Sequence, residues 1–288
     1  LTEPHIKLDK VQQFFTYAIE RERIRMAKEA GLPAPWTTDP ILGRFRFCNV
    51  FREDDKVTRW YAKNVRKKFK GVDLVFATVM FRMFNRPETM KALLDADQVR
   101  RFSVPVAWAA IKDMKPVVSA AYIIVGVPGN PKGLGILKAL EVIHEHKHLI
   151  TARIACNGPR TLEGACEALM EYPYLGAFNS YEIVTDLRHT PLLNKAVDIY
   201  TWANPGPGAA RGLSRLLGED KHYFNRGSKA DRVIMFHLMR VLEGLAPNYW
   251  PFDHVWEMRD VEHTLCEFDK YERARTGEGR PKQLYLAN

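Results

Sequence analysis

The sequence predicts a mostly α-helical protein, and three observations carry that reading. Apolar residues recur at i, i+3, i+4 and i+7 along most of the 288 residues. Only Val117–Val125 reads as a strand, too little for a sheet. Helical pattern also flanks the Gly-Pro-Gly turn at 206–208 on both sides, as in a helix-hairpin-helix.

In chain order, Leu8, Val11, Phe15, Ala18 and Ile19 give an amphipathic helix to about Ala30, stopped by Gly31 and Pro33. A Pro-rich loop runs from Pro33 to Pro40 into residues 43–53, GRFRFCNVFRE. Helical pattern returns at about Asp54–Phe69, Val72–Phe84 and Pro87–Leu94, the last with Pro in its first turn. After the strand candidate come helices at about Leu134–Ile154, Leu162–Tyr172, Phe178–Leu187 and Pro191–Trp202. Two long ones follow, Lys229–Leu245 and Asp253–Arg275. There is no internal repeat or long linker, so one compact body over 1–288 is expected, with a soft boundary near 115–133 and the hairpin at about 191–217.

Composition narrows the function classes. With 43 Lys+Arg against 34 Asp+Glu the formal charge is +9, which favours polyanionic partners. Four widely spaced cysteines without a C-x-x-C pair argue for a reducing compartment and against a disulfide scaffold. The first ten residues lack a signal-peptide core, and the most apolar run is too short to span a bilayer. A cytoplasmic protein without a membrane partner is expected.

Five motifs bear on chemistry. In the 206–208 turn, Gly206 and Gly208 suit a backbone that cradles a DNA phosphate, with Arg211 and Arg215 adding charge and small Gly212 allowing close helices. Lys56–Lys70 holds seven cations, Lys63, Arg66 and Lys67 among them, with no acid and with Trp60, Tyr61 and Phe69 interleaved. Such a block suits phosphates and exposed bases, or equally a solvated helix face. The loop at 126–133 resembles a P-loop but has Pro131 for its second glycine and Gly133 for the magnesium-binding hydroxyl, so a plain turn is expected. The run from His144 to His148 satisfies H-E-x-x-H, yet Lys147 and His146 sit where a metal site would need packing; no metal is expected. Finally, Trp256–Arg273 is densely polar for a helix that also carries Leu265 and Phe268, the pattern of a buried polar site.

Four segments carry a family resemblance: residues 43–53; residues 180–188, SYEIVTDLR; residues 202–213, WANPGPGAARGL; and residues 259–271, RDVEHTLCEFDKY. Together they resemble the α-glutamyl/putrescinyl-thymine pyrophosphorylase group, the amino acid:DNA transferases of bacteriophage thymine hypermodification. They are also similar to the helical domain that accompanies 5-hydroxymethyluracil DNA kinases. The resemblance implies a DNA-glycosylase-like helix-hairpin-helix fold acting on double-stranded DNA that carries modified uracil, with such a kinase as a candidate partner. The implied reaction displaces pyrophosphate from activated 5-hydroxymethyluracil with an amine such as glycine, glutamate or putrescine, and needs no other cofactor.

That chemistry assigns expected roles. Arg44, Arg46, Arg52 and Arg188 are candidates to hold the departing pyrophosphate. Asp186, Glu182 and Glu262 are candidate bases toward the incoming ammonium, Asp186 foremost, and Lys270 lies in the same polar helix. Cys48 or Cys266 could add to the pyrimidine ring to ease the leaving group's departure. The competing readings are a helix-hairpin-helix DNA glycosylase, with Asp186 or Asp220 as its acid, and a non-catalytic DNA-binding partner of a kinase.

Overall fold

The computed structural model describes residues 5–120, 124–156 and 160–285, leaving aside the side chain of residue 156. About 60% of the chain is helical and no strand forms among the described residues. In chain order the α-helices are α1 (Leu8–Glu29), α2 (Pro40–Arg44), α3 (Lys56–Tyr61), α4 (Gly71–Phe84), α5 (Pro87–Asp95), α6 (Val104–Ile111) and α7 (Lys132–Glu145). They continue as α8 (Lys147–Cys156), α9 (Leu162–Met170), α10 (Ala177–Leu187), α11 (Pro207–Leu217), α12 (Lys229–Tyr249) and α13 (Met258–Arg275). The helices divide into two compact units, residues 1–55 with 199–288, and residues 56–198. The soft boundary expected near 115–133 falls inside the second of these.

In the first unit, α1 presents Val11, Phe14, Phe15 and Ala18 as one buried stripe. Phe14 meets the Phe268 ring edge-on at 5.7 Å, and Phe15 packs between Tyr249 and Trp256. Each such fully buried aromatic contributes about 1.5–3 kcal/mol. Helices α11 and α13 approach so closely that a Cβ on Gly212 would lie 2.5 Å from the Leu265 carbonyl oxygen, and one on Gly208 would collide with the Cys266 side chain. Helix α13 begins with a reciprocal cap between Glu257 and Asp260.

The second unit is built around α4, where every residue from Leu74 to Phe84 is buried. A helix apolar on all sides must be covered on all sides. It packs against α5, α7, α8 and α10.

Three expectations fail for local reasons. The strand candidate Val117–Val125 forms no strand at 117–120 or 124–125 (residues 121–123 lie outside the described residues). Its backbone groups bond to helices instead: the Val117 carbonyl accepts from Thr89 Oγ1 and the Ser119 N–H donates to the Phe84 carbonyl. Pro191–Trp202 is a chain of turns. The Pro191 and Leu192 carbonyls accept from Arg160, and the Asp198 carboxylate accepts the N–H groups of Leu162 and Glu163 at the start of α9. With no helix before the Gly-Pro-Gly turn, the hairpin's first arm at 191–202 is missing. The helix expected over Leu134–Ile154 is broken at His146, whose ring nitrogen lies 2.9 Å from the Val142 carbonyl in the last turn of α7. Helix α6, unforeseen, starts with Pro105 in its first turn.

Candidate active site

In the first unit, Arg21 on α1 shapes the segment after α2. Its guanidinium donates to the carbonyls of Phe47 and Cys48 and to Asn49 Oδ1. Asn49 uses its other groups too. Its N–H donates to Asp55 Oδ1 at 3.2 Å, its side-chain amide to the Asp54 carbonyl, and its own carbonyl accepts from His263 Nε2 at 3.1 Å. Every one of these bonds fixes a loop that carries Cys48 and Asp55 against α13.

Helix α13 supplies the opposing wall. The Cys48 N–H donates to Glu267 Oε2 at 2.8 Å, and Lys270 pairs with the same carboxylate at 2.6 Å. Burial alone would raise the Glu267 pKa, but Lys270, His263 and the Cys48 N–H together hold it below the usual carboxylate range. Lys270 stays protonated: burial is the largest influence and opposes its charge, but Glu267 together with Cys48 and Cys266 raises its pKa. The Asp55 carboxyl is pushed up by burial, only partly offset by His263 and the Asn49 N–H.

Cys48 is accessible to solvent, yet protein atoms crowd its thiol and, with Glu267 nearby, hold its pKa well above the ordinary value. Sulfur of Cys48, a ring nitrogen of His263 and a carboxylate oxygen of Asp55 lie within 4.8 Å of one another. Cys266 is different: burial, with Glu262 beside it, pushes its thiol up to about 12, and it packs under Gly208. It serves as a packing residue and not as a nucleophile.

The remaining sequence candidates fall into place as follows. Glu262 is buried; its Oε1 accepts the Gly206 N–H at 3.2 Å and its Oε2 pairs with Arg259 at 2.6 Å. The anion at the start of α11 is thus a carboxylate of the protein, where a DNA phosphate was expected. Gly206 and Gly208 serve that junction and the α11–α13 seam. Arg211 and Arg215 both donate to the fully buried Asp269, at 2.8 and 2.9 Å, and Arg215 also binds Glu278. Their expected place on DNA gives way to an internal network. Arg44 and Arg46 are exposed and lie against the Phe45 and Tyr285 rings, whereas Arg52 is buried.

In the second unit, Asp186 has no exposed surface and accepts from Arg82 Nε at 2.5 Å and Nη2 at 2.7 Å. Arg82 also donates to Asn85 Oδ1. A carboxylate locked this way cannot reach an incoming amine, which corrects its expected role as base. Glu182 is likewise buried, and Arg188 is half-buried. Of the basic block, Lys63 and Lys67 are exposed and Arg66 is half-buried. Of its aromatics, Tyr61 is a core residue that bonds to Thr78, while half-buried Trp60 stacks on Phe81 and Phe69 is half-buried too. In the P-loop look-alike, Lys132 donates to the Ile124 carbonyl. His144 packs against Phe76 and Phe102, and the break at His146 parts it from His148.

Sequence reasoning overlooked Arg21, Asn49, Asp55 and His263. A signal existed for one: Arg21 lies three residues past Ala18 and seven past Phe14, on the apolar stripe of α1.

Comparison with known proteins decides the family. The profile described as "5-hmdU DNA kinase, helical domain" matches residues 9–280. The chain belongs to that family. A "5-hmdU DNA kinase" of Bacillus phage SP10 is 27% identical over 298 aligned positions, covering 90% of this chain and 44% of the relative. This helical-domain chain therefore spans less than half the length of that relative. No solved structure matches it. Among its described residues, no helix is long and apolar enough to cross a membrane.

Proposed function

We propose that this helical-domain chain acts in thymine hypermodification of DNA, as a transferase that displaces pyrophosphate from 5-pyrophosphoryloxymethyl-uracil with an amine. The observation that carries the reading is the convergence of residues 43–53 and 259–271, two of the segments on which the family resemblance rests, at Cys48, Glu267 and His263. Such a displacement needs cations for the leaving group. Exposed Arg44 and Arg46 stand on this segment, and Arg21 keeps a buried Nη1 without a hydrogen-bond partner. It also needs a proton acceptor for the attacking ammonium. With Asp186 and Glu262 engaged in buried ion pairs, that role passes to Asp55 beside His263, whose raised carboxyl pKa brings it nearer neutral pH. Lys63 and Lys67 would meet DNA phosphates. The amine is an amino acid or a polyamine.

A second reading is a non-catalytic DNA-binding partner of a 5-hmdU DNA kinase, favoured by the family itself and by the 44% coverage of the relative. The glycosylase reading finds no comparable support: Asp220 is exposed and caps its own turn at His222. Incubation with pyrophosphorylated 5-hydroxymethyluracil DNA and a mixture of amines, followed by nucleoside mass spectrometry, separates these. An aminated thymidine supports transfer, an abasic site supports the glycosylase, and unchanged nucleosides on bound DNA leave the partner reading.

A further inference from the structure

We propose that Cys48, Asp55 and His263 form a binding site for a divalent cation of zinc type. The inference stands on the geometry of these three side chains and not on the amine-transfer reading.

Their ligand atoms lie within 4.8 Å of one another, so one ion can reach all three with small side-chain adjustments. Among the described residues no other set of three His, Cys, Asp or Glu side chains is grouped in this way. The donor set is a thiol, an imidazole and a carboxylate. Borderline-soft zinc accepts all three, whereas magnesium and calcium take oxygen ligands.

The surroundings favour the same conclusion. His263 bonds through Nε2 to the Asn49 carbonyl, which fixes the ring's orientation beside Cys48 and Asp55. The loop bearing the other two ligands is held by Arg21 and Asn49, so little ordering remains to be done on binding. A thiolate and a carboxylate balance the charge of a divalent ion, leaving the bound site neutral among partly exposed side chains. Three protein ligands leave a fourth position open, the arrangement of catalytic rather than structural zinc. An ion there would engage the Asp55 carboxylate, and the acceptor role proposed for Asp55 would pass to a hydroxide held at the open position.

The test is titration of the metal-free protein with cobalt(II), an optical stand-in for zinc. The expected result is one ion per chain with a thiolate-to-cobalt charge-transfer band, displaced by zinc. The band should be absent in Cys48→Ala and unchanged in Cys166→Ala, and His263→Ala should weaken binding ~100-fold or more. A measurement on the unaltered protein guards against variants that fail to fold: zinc should protect Cys48, mapped by mass spectrometry, from maleimide. Absence of a band together with equal labelling of Cys48 with and without zinc would overturn the site. A band that persists in folded Cys48→Ala would overturn it as well. Amine transfer is read separately by nucleoside analysis, so failure of that reading leaves this result untouched.

Discussion

Glu267 Oε2 accepts the backbone N–H of Cys48 at 2.8 Å across 219 residues of sequence, and the same carboxylate pairs with Lys270 at 2.6 Å. One side chain thus ties the loop after α2 to α13 and neutralises the lysine beside it.

Glu267→Gln should therefore destabilise the protein by about 1–3 kcal/mol, because it leaves the half-buried Lys270 without its counter-charge and weakens the bond to the Cys48 N–H. Urea unfolding measures this. The Glu267 pKa lies below its ordinary value, so its contribution is full above the unfolded carboxylate's pKa and is lost as pH falls through the folded one. The wild-type minus variant difference should shrink on acidification and stay flat from neutral pH upward to where Lys270 titrates.

Asp186→Asn should cost about 3–5 kcal/mol, since it strands Arg82 in the core of its unit. A base acting in catalysis would instead show a turnover defect with stability unchanged. Thermal unfolding and turnover measured side by side decide the matter; an unaltered melting temperature would return Asp186 to the list of candidate bases.

Gly212→Ala should destabilise by about 1–3 kcal/mol or more, because its Cβ meets the Leu265 carbonyl, a backbone atom that cannot rotate away. Gly208→Asp should fail to fold, where a phosphate-cradling turn would have kept its helicity. Circular dichroism and denaturant midpoints give the answer.

Lys63→Ala with Lys67→Ala should leave stability nearly unchanged, as both side chains are exposed. Affinity for DNA should fall alike for all sequences, and the slope of log K against log salt should become shallower by about 1–2. An unchanged slope would place the DNA elsewhere.

Alkylation of Cys48 by iodoacetamide in metal-free protein should be slow at neutral pH and keep rising beyond pH 9, following a thiol held above its ordinary pKa. Cys266, with its pKa near 12 and its sulfur under α11, should stay unmodified over the same range. Peptide mapping across pH measures both, and fast labelling of Cys48 at pH 7 would contradict the environment described.

The sequence by itself determined the helices with clean periodicity and a clear stop: α1 by its apolar stripe and Gly31, α4 by its continuous apolar run, and α10 and α12 by their spacing. These signals are local, and the packed structure had no reason to override them. It also marked residues 256–273 as unusual, because charge inside an apolar helical pattern is visible without coordinates, whereas residues 43–53 stood out by family resemblance. What it left open was which polar group meets which. Gly208 and Gly212 satisfy a phosphate-binding turn and a helix seam equally well, and only the approach of Cys266 and Leu265 chose the seam. Asp186 looked like a base until Arg82, 104 residues away, was found against it. Cys48, Asp55 and His263 share no sequence spacing that pairs them. They meet because Arg21 and Asn49 fold the loop back and Glu267 draws it to α13, and hydrogen bonds over such distances are fixed by tertiary packing alone.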